Sequence, residues 1–250
     1  MTDGHLPMIK LNTRLVAAFA TAVAGFALAA PAVGDPAPPR QWNFEVFLDD
    51  REIGYHRFEL RNAGDALRLE TRAEFEVKLL IITAFEYVHS NTELWQAGCL
   101  QRIEARTDSN GKRYEVSGEQ RDGGFVLATG SGTTRIEDCV GSFAYWDQRL
   151  LQRGRLLNSQ TGEYLEVELQ RLPAATVTIG NREIAVDRYS LTARDMDITL
   201  AYAAGSGDWV ALDSVVDGGR TLRYRRSPAD FMGPAGLALA GMIQSSEALQ

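Results

Sequence analysis

ALRLETRAEFEVK, residues Ala66 to Lys78, decides the fold. Leu67, Leu69, Thr71, Ala73, Phe75 and Val77 occupy one phase of a two-residue period, and Arg68, Glu70, Arg72, Glu74, Glu76 and Lys78 occupy the other. In a strand, successive side chains point to opposite faces, so this pattern gives one face on a core and one in water. A helix would scatter the same residues around its whole surface. Upstream, Trp42, Phe44, Val46 and Leu48 alternate in the same way. The polar run Asp49-Asp50-Arg51-Glu52 then turns the chain into Ile53–Leu60, where His56, Phe58 and Leu60 share a face.

Turn chemistry recurs downstream. Asn110-Gly111, Asp122-Gly123-Gly124, Gly180-Asn181, Gly205-Ser206-Gly207-Asp208 and Asp217-Gly218-Gly219 separate short alternating runs. Such pairs accept the positive φ that tight hairpins need. The expected fold is mainly β: one strongly curved antiparallel sheet, a half-barrel or barrel meander. A short helical or irregular plug interrupts it at 139–157, and a short C-terminal helix follows in the tail, 228–250. The β domain is expected over 42–227, with two sub-sheets, about 42–138 and 158–227, as one possible arrangement. No repeat of 20–50 residues is visible.

The N-terminus has a different character. Lys10 and Arg14 precede the uncharged run Leu15 to Ala30, and Ala27-Leu28-Ala29 and Ala30-Pro31-Ala32 both fit the small-x-small cleavage pattern. The run is shorter than the roughly 20 residues a spanning helix requires. Residues 1–32 are therefore expected to be a secretory signal cleaved near Ala29 or Ala32, with Met8 an alternative start. A Pro-rich spacer is expected over 33–41. No Cys follows the apolar run to take a lipid, and no Arg pair precedes it. The expected location is periplasmic or secreted, with no transmembrane anchor after cleavage.

The chain has 26 basic and 33 acidic side chains. Cleavage removes Lys10, Arg14 and Asp3, leaving 24 and 32 and a formal charge of −8. An acidic chain without a basic block is poorly suited to nucleic acid or to anionic lipid surfaces. Cys99 and Cys139 are its two cysteines. In an oxidising compartment they read as a disulfide, with two separate buried thiols as the alternative.

Three stretches look familiar together: WNFEVFLDDREIGYHRFEL (Trp42 to Leu60), FAYWDQRLLQRGRLLNSQTGE (Phe143 to Glu163) and DWVALDSVVDGGRTLRYRR (Asp208 to Arg226). They resemble exported bacterial proteins of domain-of-unknown-function family 6134. That resemblance covers nearly all of the mature chain and implies compartment and fold class, but no catalytic residues. The opening strand pair is more loosely similar to periplasmic half-barrel proteins, which implies a curved sheet around an apolar cavity.

Catalytic motifs are not found. After loss of His5, only His56 and His89 remain, and there is no G-x-S-x-G elbow. There is no H-E-x-x-H or C-x-x-C metal spacing, so neither metal nor cofactor is expected. Asp49, Asp50 and Glu52 read as a solvated turn rather than a cation site. Glu76, Glu86 and Glu93 lie near apolar strands, and spacing does not say whether they converge. The candidate ligand contacts are His56 and His89, in phase with inner-face residues, and Tyr145, Trp146 and Asp147. These last three either line a pocket mouth or belong to a packing plug in which Asp147 caps a short helix. The expected function is a non-catalytic envelope protein holding an apolar or amphipathic, lipid-like molecule. A structural or interaction component and a hydrolase assembled from distant strands are the alternatives.

Overall fold

A computed structural model describes residues 38–79 and 82–231. The expected signal peptide and most of the C-terminal tail lie outside the described residues. The strands β1 (Arg40–Leu48), β2 (Arg51–Ala63), β3 (Ala66–Leu79), β4 (Ile82–Gln96), β5 (Cys99–Ser109), β6 (Lys112–Arg121), β7 (Gly124–Thr129) and β8 (Gly132–Ile136) form an antiparallel meander. The segment that follows carries the four-residue helix α1 (Gln148–Leu151) and a two-stranded ribbon, β9 (Arg155–Leu157) with β10 (Tyr164–Glu166). A second meander follows: β11 (Glu168–Ile179), β12 (Arg182–Ala193), β13 (Met196–Ala203), β14 (Trp209–Val216) and β15 (Arg220–Arg226).

The two meanders form one 13-stranded sheet because β15 pairs antiparallel with β1, Phe44 opposite Arg226 and Leu48 opposite Leu222. A buried ion pair helps hold this seam. Arg226 binds Asp230, donates to the Gln41 carbonyl at 2.7 Å and lies 6.0 Å from the Trp42 ring. Asp230 in turn accepts from the backbone and side chain of Asn43 at 2.9 and 2.8 Å. β1 begins at Arg40, so Arg40 and Gln41, expected in the spacer, are the first residues of the sheet. Residues 228–231 form a single 3-10 turn, and the helix expected in the tail falls beyond the described residues.

The sheet is open, ending at β8 and β11. Both edges are blunted. β8 has only five residues, and β11 contains Pro173, where its register with β12 shifts between Leu172 and Ala175. Register shifts at Val46/Phe47, Val77/Lys78, Leu94/Trp95 and Ala201/Tyr202 add bend and twist. At the first bend Gly54 has φ +149°, and a Cβ there would sit 1.9 Å from the Glu74 carbonyl oxygen. Only glycine allows β2 and β3 to approach so closely.

The inner face carries the core: Trp42, Phe44, Trp95, Phe125, Tyr202 and Trp209 are nearly fully buried. Each such ring removes roughly 150–250 Å² from water, about 4–6 kcal/mol at 25 cal/mol per Å² as an upper estimate. The outer face is laced with same-strand pairs such as Arg68–Glu70 and Arg102–Glu104. Exposed pairs of this kind contribute little each.

Residues 139–157 fill the concave side. Val140, Ala144, Trp146, Leu150, Leu151, Leu156 and Leu157 join the main core, so the plug reading holds. Cys139, where the plug begins, is disulfide-bonded to Cys99 at the start of β5, with Cα atoms 5.2 Å apart. The Leu100 N–H donates to the Val140 carbonyl at 2.9 Å. Arg153 clamps the same corner through the carbonyls of Cys139 and Gly98 at 2.8 and 2.7 Å.

Candidate functional site

β4 supplies the centre of the site. Tyr87, His89, Asn91, Glu93 and Trp95 share its inner face, all buried. Polar groups rarely occupy core positions without partners. Here His89, Asn91 and Glu93 line, with His56 and Thr71 from β2 and β3, a cavity of about 90 Å³ roofed by Ser142, Phe143, Tyr145 and Trp146 of the plug.

His89 is anchored, its Nδ1 lying 2.9 Å from Thr107 Oγ1. Burial holds its imidazole down to a pKa of about 4. His56 stacks on Phe58 with centroids 4.2 Å apart, and its ring centre is 6.5 Å from that of His89. Burial, helped by His89, holds it well below the ordinary value. Both imidazoles are therefore neutral at pH 7. Among the described residues neither ring nitrogen of His56 has a partner, and the same holds for Thr71 Oγ1, Asn91 Oδ1 and Trp146 Nε1. Glu93 accepts from Asn91 Nδ2 at 2.9 Å and Trp95 Nε1 at 2.8 Å. Burial pushes its carboxyl up, while the donors Asn91, Trp95 and Ser142 pull against that.

Four of the five expected contacts therefore meet at one cavity: His56, His89, Tyr145 and Trp146. Asp147 lies elsewhere. It caps α1 through the Arg149 N–H at 3.0 Å and binds the Arg149 guanidinium at 2.6 Å, which holds its carboxyl below the usual range. It lines a separate groove of about 520 Å³ at the mouth of the half-barrel, together with Arg40, Arg61 and Arg149. Trp146 is a wall of both spaces. A third and larger concavity, about 860 Å³, lies on the charged outer face among Arg57, Glu59, Glu70 and Arg72.

Thr71 was legible as an inner-face residue, but its role in the site was not. Asn91 and Glu93 were missed as a pair, although continuing the Tyr87–His89 phase by two and four residues reaches both. Glu76 and Glu86 face each other across β3 and β4 in the phase opposite to the cavity, so the three glutamates do not converge. Asp49 and Asp50 both pair with arginines. They tie the β1–β2 turn to Arg220 and Arg223 of β15 at 2.9 and 2.8 Å. Among the described residues no group of His, Cys, Asp and Glu is arranged to hold a metal, and no helix is long and apolar enough to cross a membrane.

Comparison with known proteins extends the fold and not the chemistry. No curated protein matches the chain. A solved structure described as a beta-barrel-like protein of domain of unknown function DUF1849, from Brucella abortus, superposes with a TM-score of 0.56 at 10% identity. The match covers 76% of this chain and 95% of that one. At that identity the likeness concerns architecture alone. The family model "Domain of unknown function (DUF6134)" matches residues 44–227, and the chain belongs to that family.

Proposed function

We propose that the chain is an exported, non-catalytic binding protein of the cell envelope. Its half-barrel holds a small polar molecule in the pocket beneath the plug. One observation carries this reading: four residues that line one cavity, His56, Thr71, Asn91 and Trp146, carry five buried polar atoms that have no partner among the described residues. Each such atom costs about 1–3 kcal/mol unless something pairs with it. Export is supported by the N-terminal pattern and by the Cys99–Cys139 disulfide, which suits an oxidising compartment.

The sequence favours an apolar or amphipathic, lipid-sized ligand, whereas the cavity favours a smaller and more polar one. A volume of 90 Å³ holds about three water-sized groups. Pockets for drug-sized ligands occupy roughly 300–1,000 Å³. A purely apolar ligand would also leave the five polar atoms unpaired. The amphipathic reading keeps one support: moving Trp146 would join the pocket to the 520 Å³ mouth groove. A hydrolase gains none, because His89 is 3% exposed and pairs with Thr107 rather than with a carboxylate in an open cleft.

Native mass spectrometry of protein recovered from its own envelope tests this. The expected species begins just after Ala29 or Ala32, is disulfide-bonded and retains a mass much smaller than a lipid. A retained lipid mass would favour the amphipathic reading. An uncleaved chain would contradict export.

A further inference from the structure

Three of the five unpaired atoms of the pocket residues can accept a hydrogen bond, and the second His56 nitrogen and Trp146 Nε1 donate. Asn91 Oδ1 is an acceptor, neutral His56 offers an acceptor nitrogen in either tautomer, and Thr71 Oγ1 can accept as well. Glu93, 2% exposed, stands on the same wall. Its partners are the neutral donors Asn91, Trp95 and Ser142, and among the described residues no Lys, Arg or His forms an ion pair with it. A buried carboxylate without a cation is costly. The rings of Phe58, Phe143 and Tyr145 also line the cavity. Ring faces carry the negative end of the aromatic quadrupole and attract cations.

We infer that the ligand of this pocket is a small organic cation, a protonated amine bearing only a few carbon atoms. Its ammonium group meets Glu93 and the acceptors of Thr71, Asn91 and His56, and its carbon atoms meet the aromatic roof. The inference rests on the pocket reading above and names its chemistry. The neutral state of His56 and His89 removes any competing positive charge from the wall. The volume of about 90 Å³ sets the size limit.

The test is an NMR titration of the oxidised mature protein with ethylammonium chloride. Ethanol, with the same number of heavy atoms, is the neutral control at matched chloride. The Trp146 indole N–H and the Thr71 methyl group report binding. Fragments of this size bind at best in the millimolar range. Ethylammonium is expected to bind at least about tenfold tighter than ethanol, and Glu93→Gln should bring the two within about twofold. Thr71→Val keeps the shape and removes an acceptor, so it should weaken ethylammonium several-fold even if the Glu93 variant does not fold. Equal or tighter binding of ethanol would overturn the cation assignment and leave the pocket reading standing. So would a preference that survives Glu93→Gln. Binding of neither compound would overturn both.

Discussion

Replacing Cys99 and Cys139 together with Ser removes a cross-link that closes a loop of 40 residues. In the chain-entropy model the lost constraint is 2.1 + 1.5R ln n cal/mol/K, which for this loop is about 4 kcal/mol at 25 °C. The effect falls on the unfolded chain. In the folded protein the same corner keeps the Leu100–Val140 backbone bond and the Arg153 clamp on Cys139 and Gly98. The variant should therefore fold with its plug seated. Equilibrium urea unfolding, followed by tryptophan fluorescence, measures the loss. With a slope of about 2 kcal/mol/M the midpoint should drop by about 2 M, and the slope should rise as the unfolded chain exposes more surface. A loss below about 1 kcal/mol would refute the loop argument. An unfolded variant would show that the bond holds native contacts the Arg153 clamp cannot.

Four further outcomes follow from the structure. His89, held to a pKa of about 4 against an ordinary 6.5, binds its proton more readily when unfolded. Its contribution is thus complete above pH 6.5 and is lost as pH falls toward 4, about 3 kcal/mol in all. His56 acts in the same direction and Glu93 in the opposite one, because its raised pKa favours the folded state at low pH. Urea midpoints at pH 7 and pH 4.5 check the balance. Replacing both histidines with Phe should flatten the histidine part of the slope. His56→Phe alone should raise stability by about 1 kcal/mol, since it removes two buried nitrogens without partners; destabilisation by more than about 1 kcal/mol would show that the imidazole is needed for the fold. Asp230→Ala leaves the buried Arg226 unpaired at the β1–β15 seam and should cost about 3–5 kcal/mol by the same assay. Gly54→Ala forces a Cβ onto the Glu74 carbonyl, 1.9 Å away, and should cost at least about 2 kcal/mol in a thermal or urea scan.

The strands were readable wherever one face meets water. β3 alternates without a break because its outer side chains carry charge. β4 was harder to read, since Asn91 and Glu93 put polar residues on the inner face and interrupt the apolar phase that marks a core. Those exceptions line the candidate pocket. The β1–β15 pairing was not legible, because it joins residues such as Gln41 and Arg226 that lie 185 apart in sequence, and nothing local encodes such contacts. Whether the sheet closes was open for the same reason, as closure depends on the edges β8 and β11, and each of these looks like an ordinary strand. The aromatic run Phe143–Trp146 stood out in composition. Its division between plug, pocket roof and mouth depends on which way each ring turns, which only the folded chain shows. Asp147 was read correctly as a helix cap. Capping α1 also turns it toward the mouth groove and away from the cavity beneath the plug.

The most direct test of the binding site is heteronuclear NMR of the mature, oxidised protein against a panel of small polar molecules. At least one of them is expected to shift the Thr71, Asn91 and Trp146 side-chain signals together, saturably, and to leave the charged outer face among Arg57, Glu59, Glu70 and Arg72 unmoved. If no molecule in the panel moves those three signals, or the saturable shifts fall on the outer face instead, the pocket is not the site.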